Sequence, residues 1–311
     1  MDKMDGFFRN KYGLEVVEQN LIQQVEEEIY RLKDRFGNKF KFKVFKNLTE
    51  NREKELKQID QWISHLSNQL PIPLPQMIKS KDGNYFLPVR DAKGCLVEWI
   101  DWKIIDKFDV SNAFKIGKRL RVVHEVTKNY KGQMQAVKKI NSDWIHQSAK
   151  QSILQANQTI EPQSTQQLEH NLNNLAQWLF EKEQSEPFGL IHSDLHRKNI
   201  IFKGENLGFI DFDDAVYSAY LLDLATILNE FADFPDDFEA LQAALLIGYG
   251  LETNKQLAED LYYFRKVADL IYADWIFGYR ASGVQLSSSK NIYGTQAITS
   301  LIQMKAIIPK F

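Results

Sequence analysis

The stretch Gly189 to Ala215, GLIHSDLHRKNIIFKGENLGFIDFDDA, leaves few folds open to the chain. Apolar Phe188, Leu190 and Ile191 run into His192, Ser193 to Lys198 are polar, and Ile200, Ile201 and Phe202 are apolar again. Gly204 and Asn206 supply a turn, and a third apolar run of Leu207, Phe209 and Ile210 leads directly to Asp211. That order reads as strand, loop, strand, turn, strand. It places Asp194 and Asn199 in the loop and Asp211 at a strand end, where backbone geometry fixes the side chains. Asp and Asn also punctuate ordinary turns, but a turn needs neither a His two residues before the Asp nor a second carboxylate behind a hydrophobic strand.

These residue types suit phosphoryl transfer, which asks a protein for positioning and charge neutralisation more than for covalent chemistry. One carboxylate must accept the acceptor's proton, while another carboxylate and an amide oxygen hold magnesium. Magnesium takes hard oxygen ligands and keeps several waters, so two protein ligands beside nucleotide phosphates suffice. At His192, Asp194, Asn199 and Ile210-Asp211-Phe212 the chain resembles the aminoglycoside phosphotransferase and choline kinase-like (APH) family, whose loop runs His-x-Asp-x-x-x-x-Asn before a strand and an Ile-Asp-Phe/Trp motif. The segment Leu70 to Val97, with its Asp82-Gly83 turn, is more similar to the homoserine-kinase and stress-response-kinase branches than to the antibiotic-resistance ones.

The resemblance implies an α+β, two-lobed protein-kinase-like fold, with a small antiparallel-sheet lobe carrying one helix and a larger, mostly helical lobe. Residues 1–97 would form the nucleotide-binding lobe, 98–102 the hinge and 103–311 the catalytic and acceptor-binding lobe. It further implies ATP and Mg²⁺ as cofactors, Asp194 as the base, Asn199 and Asp211 on the metal, and transfer of the γ-phosphoryl group to a hydroxyl of an aminoglycoside-, choline- or homoserine-like small molecule.

With 311 residues, 44% of them hydrophobic and 12% aromatic, the chain can bury a core large enough for two lobes. A net charge of −2 argues against nucleic acid as a partner. The single cysteine, Cys95, forms no internal disulfide, and acidic residues interrupt the start where a signal peptide would be apolar, so a cytoplasmic protein is expected. No apolar run approaches the ~18 residues of a membrane span. Oligomeric state leaves no trace in the sequence.

In chain order, residues 11–25, the run Ile29 to Leu32 and the Gly37-Asn38 turn read as a hairpin returning through Phe40, Phe42 and Val44, the whole small lobe amounting to five strands. Lys39, Lys41 and Lys43 share the opposite face of the returning strand. That face is either a solvated lysine edge or, as the resemblance implies for Lys43, the cation on the nucleotide α and β phosphates. Thr49 is placed to cap the following helix. On that helix Glu55 shares a stripe with Ile59 and Ile63 and is expected beside Lys43, with Asp60 its rival. After Val97, the Glu98 carbonyl and Ile100 amide are placed to bind adenine, although an ordinary strand end has the same side chains.

From Asp109 the period turns helical, and His124 amid apolar neighbours reads as a packing residue. By resemblance, Asp223 braces the catalytic loop, while Asp213, of the same strand parity as Asp211, assists metal or substrate. The C-terminal helices would wall the acceptor pocket, with Asp213, Asp233, Tyr272 and Trp275 as its candidate residues and Asp269, Asp274 and Arg280 as further ones. The sequence departs from the family pattern in the acids Glu26 to Glu28 of the first hairpin loop, which would repel a triphosphate, and in His196, where protein kinases carry a lysine. A protein Ser/Thr kinase of the stress-response type is a second reading, though no Ala-Pro-Glu segment follows Asp211, and a regulatory pseudokinase a third.

Overall fold

Gly37, at φ 86°, turns the chain where Asp34 gathers three donors, the amides of Phe36 at 2.9 Å and Asn38 at 2.8 Å and the Asn38 side chain at 2.9 Å. This turn sets β2 (Glu28–Asp34) antiparallel to β3 (Lys39–Phe45), with Tyr30 opposite Phe42 and Leu32 opposite Phe40. The computed structural model describes residues 4–24, 27–150, 161–281 and 288–305, so Glu26 lies outside them; the Arg280 side chain likewise lies outside the described side chains. The chain divides into two compact units, one of residues 1–104, 130–137 and 200–213, the other of 105–129, 138–199 and 214–311.

In the first unit, β1 (Val16–Gln24), β2, β3, β4 (Met77–Ile78), β5 (Phe86–Val89) and β6 (Ala92–Glu98) make one antiparallel sheet of six strands in the order β1-β2-β3-β6-β4, with β5 also on β6. There are six strands and not the expected five, since β1 and β2 are separate antiparallel strands with Gln24 opposite Glu28 across the reversal expected at the first hairpin loop. Neither glycine nor proline marks that reversal.

One sheet face buries Tyr30, Leu32, Phe42 and Leu96 against α1 (Asp5–Tyr12), whose Phe8 meets Phe42 edge-on at 4.9 Å. The other face, through Phe45, Cys95 and Val97, packs on Leu56 of α2 (Glu50–Gln69). Thr49 caps α2 as expected, its hydroxyl accepting the Arg52 amide at 3.2 Å. A second sheet in this unit joins β7 (Lys103–Ile104), β9 (Ile200–Lys203) and β10 (Asn206–Phe209), and Gly204, at φ 58°, makes the turn into β10. Ile200–Asp213, assigned from the sequence to the larger lobe, thus belongs to the first unit.

Among its described residues the second unit is helical apart from a two-stranded ribbon of β8 (Phe188–Ile191) and β11 (Val216–Ala219). Its helices are α3 (Val110–Thr127), α4 (Pro162–Glu183), α5 (Leu221–Phe231), α6 (Phe238–Tyr249), α7 (Lys255–Ala281) and α8 (Ser288–Ile302). Helices α3 and α6 approach so closely that their backbones touch, which requires glycine on both sides. A Cβ on Gly117 would stand 2.0 Å from the Leu245 carbonyl oxygen and one on Gly248 2.1 Å from that of Phe114. On the α3–α4 connection Trp144 and Ile145 are buried, in a helical turn, Ser142–Trp144, that runs on as a π-helical turn, Ile145–Ala149. Among the described residues no helix is long and apolar enough to cross a membrane.

Candidate active site

The loop after β8 is held from behind. Asp223, in the first turn of α5 and 1% exposed, accepts the amides of His192 at 3.0 Å and Ser193 at 2.7 Å. The same carboxylate meets His124 Nε2 at 3.0 Å. His124 Nδ1 takes the Tyr249 hydroxyl at 2.8 Å, and the ring stacks on Tyr220 at 4.5 Å, so every polar atom of this buried histidine is used structurally. Ser193 itself sits at φ 69°, a left-handed conformation that costs a non-glycine residue about 1–2 kcal/mol. The two bonds to Asp223 offset that cost and turn Asp194 outward.

Asp194 is then fixed from the front. Asn199, buried at the end of a 3-10 turn (Arg197–Asn199), donates its amide nitrogen to the Asp194 carbonyl at 2.8 Å and to Asp194 Oδ2 at 2.9 Å. With both amide hydrogens committed, the Asn199 side-chain oxygen is its remaining polar atom, a hard donor of the kind magnesium takes. His196 Nε2 lies 3.4 Å from Asp194 Oδ2. Burial pulls the His196 ring down, but the contact with Asp194 and the charges of Asp194 and Glu230 outweigh it, leaving the ring above its ordinary pKa.

Glu230 closes the network from α5, accepting the Arg197 amide at 3.3 Å while the Arg197 guanidinium covers the Phe234 ring at 5.5 Å. Glu230 is not among the residues expected from the sequence. Its spacing could have found it, since Asp223 and Glu230 stand seven residues, two helical turns, apart on one face of α5.

In the first unit, β10 runs out at Phe209 and the chain twists at Asp211, φ 66°. Phe212 goes into the core against Trp62, ring centroids 5.6 Å apart, and its neighbours Asp211 and Asp213 point the other way onto Lys43. Lys43 Nζ bonds Asp211 Oδ1 at 2.8 Å and also Asp213 Oδ2, while Lys41 Nζ reaches Asp211 Oδ1 at 3.3 Å. At 4% exposure Lys43 does not belong to a solvated lysine edge. The Lys43 ammonium holds the Asp211 carboxyl far below the usual carboxylate range against its burial. Conversely, burial would lower Lys43, but Asp211 and Asp213 keep it well above its ordinary value. Lys41, Lys43, Asp211 and Asp213 line a cavity whose apolar wall includes Cys95 and Val97.

The helix acids expected on Lys43 have other partners. Glu55 accepts from Arg52 Nη1 at 2.8 Å and Asp60 accepts the Met77 amide at 2.7 Å. Of the acidic loop, Glu28 is buried on the Tyr30 hydroxyl at 2.7 Å, and Glu27 is partly buried beside the same charged group. Burial, then the charge of Asp213, pushes the Glu27 carboxyl up to about 8.

Between the ordinary glutamate pKa of ~4.3 and about 8 the folded chain holds a proton that the unfolded chain has released, so stability falls as pH rises through that window. Asp60, raised to about 6 by burial, acts in the same direction over a narrower range. Glu27→Gln is expected to flatten the fall, which urea midpoints at about pH 6 and about pH 9 would show; an unchanged slope would remove Glu27 as its cause.

Glu98 ends β6 with its amide donating to the Gln76 carbonyl at 2.9 Å, and Ile100 lies in the irregular segment before β7. Of the acids considered for an acceptor pocket, Asp233 is exposed just after α5. Asp269 is instead bound inside the helical unit by Asn229 at 3.0 Å and Ser300 at 2.5 Å, and Asp274 sits 3.5 Å from Lys138. Asp269 thus has its partners inside the helical unit, and Asp274 has a lysine beside it. Tyr272 and Trp275 lie side by side on α7 with ring centroids 5.7 Å apart, and Tyr293 meets Tyr272 edge-on. Among the described residues no three His, Cys, Asp or Glu side chains form a ready metal cage.

Residues 26–260 match the phosphotransferase enzyme family APH. The chain belongs to that family. It is similar to homoserine kinase from Nitrobacter winogradskyi, 25% identical over 182 residues, which cover 57% of this chain and 53% of the relative. The chain thus spans about half the length of the curated relatives it matches.

Among solved structures, an amicoumacin kinase in complex with AMP-PNP, Ca²⁺ and Ami superimposes with a TM-score of 0.75 at 16% identity, over 97% of this chain and 93% of that one. A microcompartment-associated aminopropanol kinase gives 0.68 at 18% identity, over 91% and 89%. This family member therefore has the kinase-like α+β fold of those enzymes, as its loop and strand pattern led one to expect.

Proposed function

We propose that this chain is a small-molecule kinase that uses ATP and magnesium to phosphorylate a hydroxyl group. The observation that carries the reading is the loop geometry at Asp194, a carboxylate bonded by Asn199 on a backbone that Asp223 holds from behind. A general base needs just this fixed aim, because proton transfer falls away once donor and acceptor leave hydrogen-bond distance.

In the reaction the acceptor oxygen attacks the γ phosphorus, its proton passes to the Asp194 carboxylate, and the bond to the β–γ bridging oxygen breaks to release ADP. Asn199 and Asp211 supply the oxygens that would hold magnesium, and magnesium, when bound, neutralises charge on the phosphates. Lys43 serves the α and β phosphates, and the Glu98 carbonyl and Ile100 amide serve adenine. The acceptor belongs with the amine-bearing alcohols named for the relatives, homoserine and aminopropanol among them. Asp213, Asp233, Tyr272 and Trp275 are the residues assigned to it, because aromatic rings attract an ammonium group. A small acceptor also fits the short path from Asp211 to α5, which β11 fills without a long activation segment.

The test is ATP consumption across a panel of small hydroxyl compounds with a protein substrate as control. ADP release that depends on a small alcohol supports the reading; label appearing on protein alone replaces it with a protein kinase. Within the same assay, Lys43→Ala is expected to raise the KM for ATP at least tenfold, since a charge-assisted contact to phosphate is worth about 1.5–3 kcal/mol. An unchanged KM and rate would leave Lys43 with only its ion pairs to Asp211 and Asp213.

A further inference from the structure

His196 takes no part in the proposed reaction, yet its ring bridges the loop to the base. Its Nδ1 accepts the backbone amide of Lys198 at 3.2 Å. A ring nitrogen that accepts carries no proton, so in the neutral ring the hydrogen is on Nε2. Nε2 stands 3.4 Å from Asp194 Oδ2, a long contact of the sort that shortens when a substrate closes the site. Asn199 already donates to that same oxygen at 2.9 Å. Two donors therefore converge on Oδ2 and, among the described residues, none is directed at Oδ1. The ring cannot easily swing away: Lys198 holds one nitrogen, and Glu230 pins the neighbouring Arg197 amide at 3.3 Å.

We propose that His196 is a positioning residue which, with Asn199, fixes Asp194 Oδ2 and so assigns Oδ1 as the atom that takes the acceptor's proton. The inference rests on the phosphotransferase reading above and deepens it. The hydroxyl proton moves to Oδ1 as the new oxygen–phosphorus bond forms and the β–γ bridge breaks, while His196 keeps its own proton throughout. Its work is angular: it stops the carboxylate from rotating, and misplacement of a catalytic group by an ångström can cost about 10²-fold in rate.

Two readouts separate this inference from the reading beneath it. The first needs no activity. In protein labelled with ¹⁵N-histidine, the His196 ring, assigned by the signal lost in His196→Gln, is expected as the Nε2–H tautomer, with its Nε2 resonance displaced by Asp194→Ala. An Nδ1–H tautomer, or no response to Asp194→Ala, would overturn the contact. The second is kinetic. His196→Leu is expected to lower kcat about 10²-fold with the KM for ATP unchanged, and His196→Gln, which keeps a donor and an acceptor, to recover most of the rate. Equal kcat in the Leu and Gln variants, or a loss confined to KM, would overturn it. Should the wild-type protein phosphorylate no small alcohol, the phosphotransferase reading falls, and the ring tautomer alone then decides whether His196 holds Asp194.

Discussion

Asp194→Asn is expected to lower turnover by about 10²–10⁴-fold, the range over which a positioned general base contributes. The substitution keeps the shape of the side chain and its bond to Asn199 Nδ2, which the new carbonyl oxygen can still accept. What it removes is the basic oxygen. The affinity for ATP should change little, because the base acts on the acceptor, and so kcat and kcat/KM should fall together. Single-turnover measurements at saturating ATP would show this, and a variant with near wild-type turnover would end the assignment of Asp194.

The second large effect is on folding. Asp223→Ala would strip partners from the His192 and Ser193 amides and from His124 Nε2, all three in buried surroundings. Each unsatisfied buried donor costs about 1–3 kcal/mol, so a loss of several kcal/mol is expected, a large fraction of the stability of an ordinary domain. Ser193 would also lose the bond that offsets its left-handed backbone. Urea unfolding of the variant measures the loss, and a change below about 1 kcal/mol would show that the loop does not depend on Asp223. Asp223→Asn, which keeps an acceptor, should fall between the two.

The parts of this fold that were legible in the sequence are those whose cause is local. Thr49 caps α2 because a threonine before an acidic, apolar-striped run has little else to do. The β8 loop and the β9–β10 turn could be read from short apolar runs broken by polar residues, and His124 from its apolar helical neighbours. Asp223 was recognisable by its place in the family pattern, and its bonds to the loop show what that place is for.

What escaped was decided by long-range packing. Helix α1 is only eight residues long and is held by Phe8 against Phe42, a contact that no window of sequence contains. The acids on Lys43 arrive from 168 and 170 residues further along the chain, so a neighbouring helix acid such as Glu55 was the natural candidate before the fold was known. Asp269 and Asp274 looked available because sequence shows charge and not its partner. The Glu27 carboxyl illustrates the same point: loop acids are ordinarily solvated, and only burial together with the approach of Asp213 makes this one hold its proton.

Phosphorus NMR of ATP, magnesium and a panel of amine-bearing alcohols, followed in the presence of the protein, decides whether phosphate moves to an alcohol. The γ-phosphate signal of ATP is expected to give way to ADP together with a new phosphate monoester on one alcohol, and Asp194→Asn to abolish the change. ATP left intact with every alcohol, or ADP appearing only with free phosphate and at the same rate in Asp194→Asn, would contradict it.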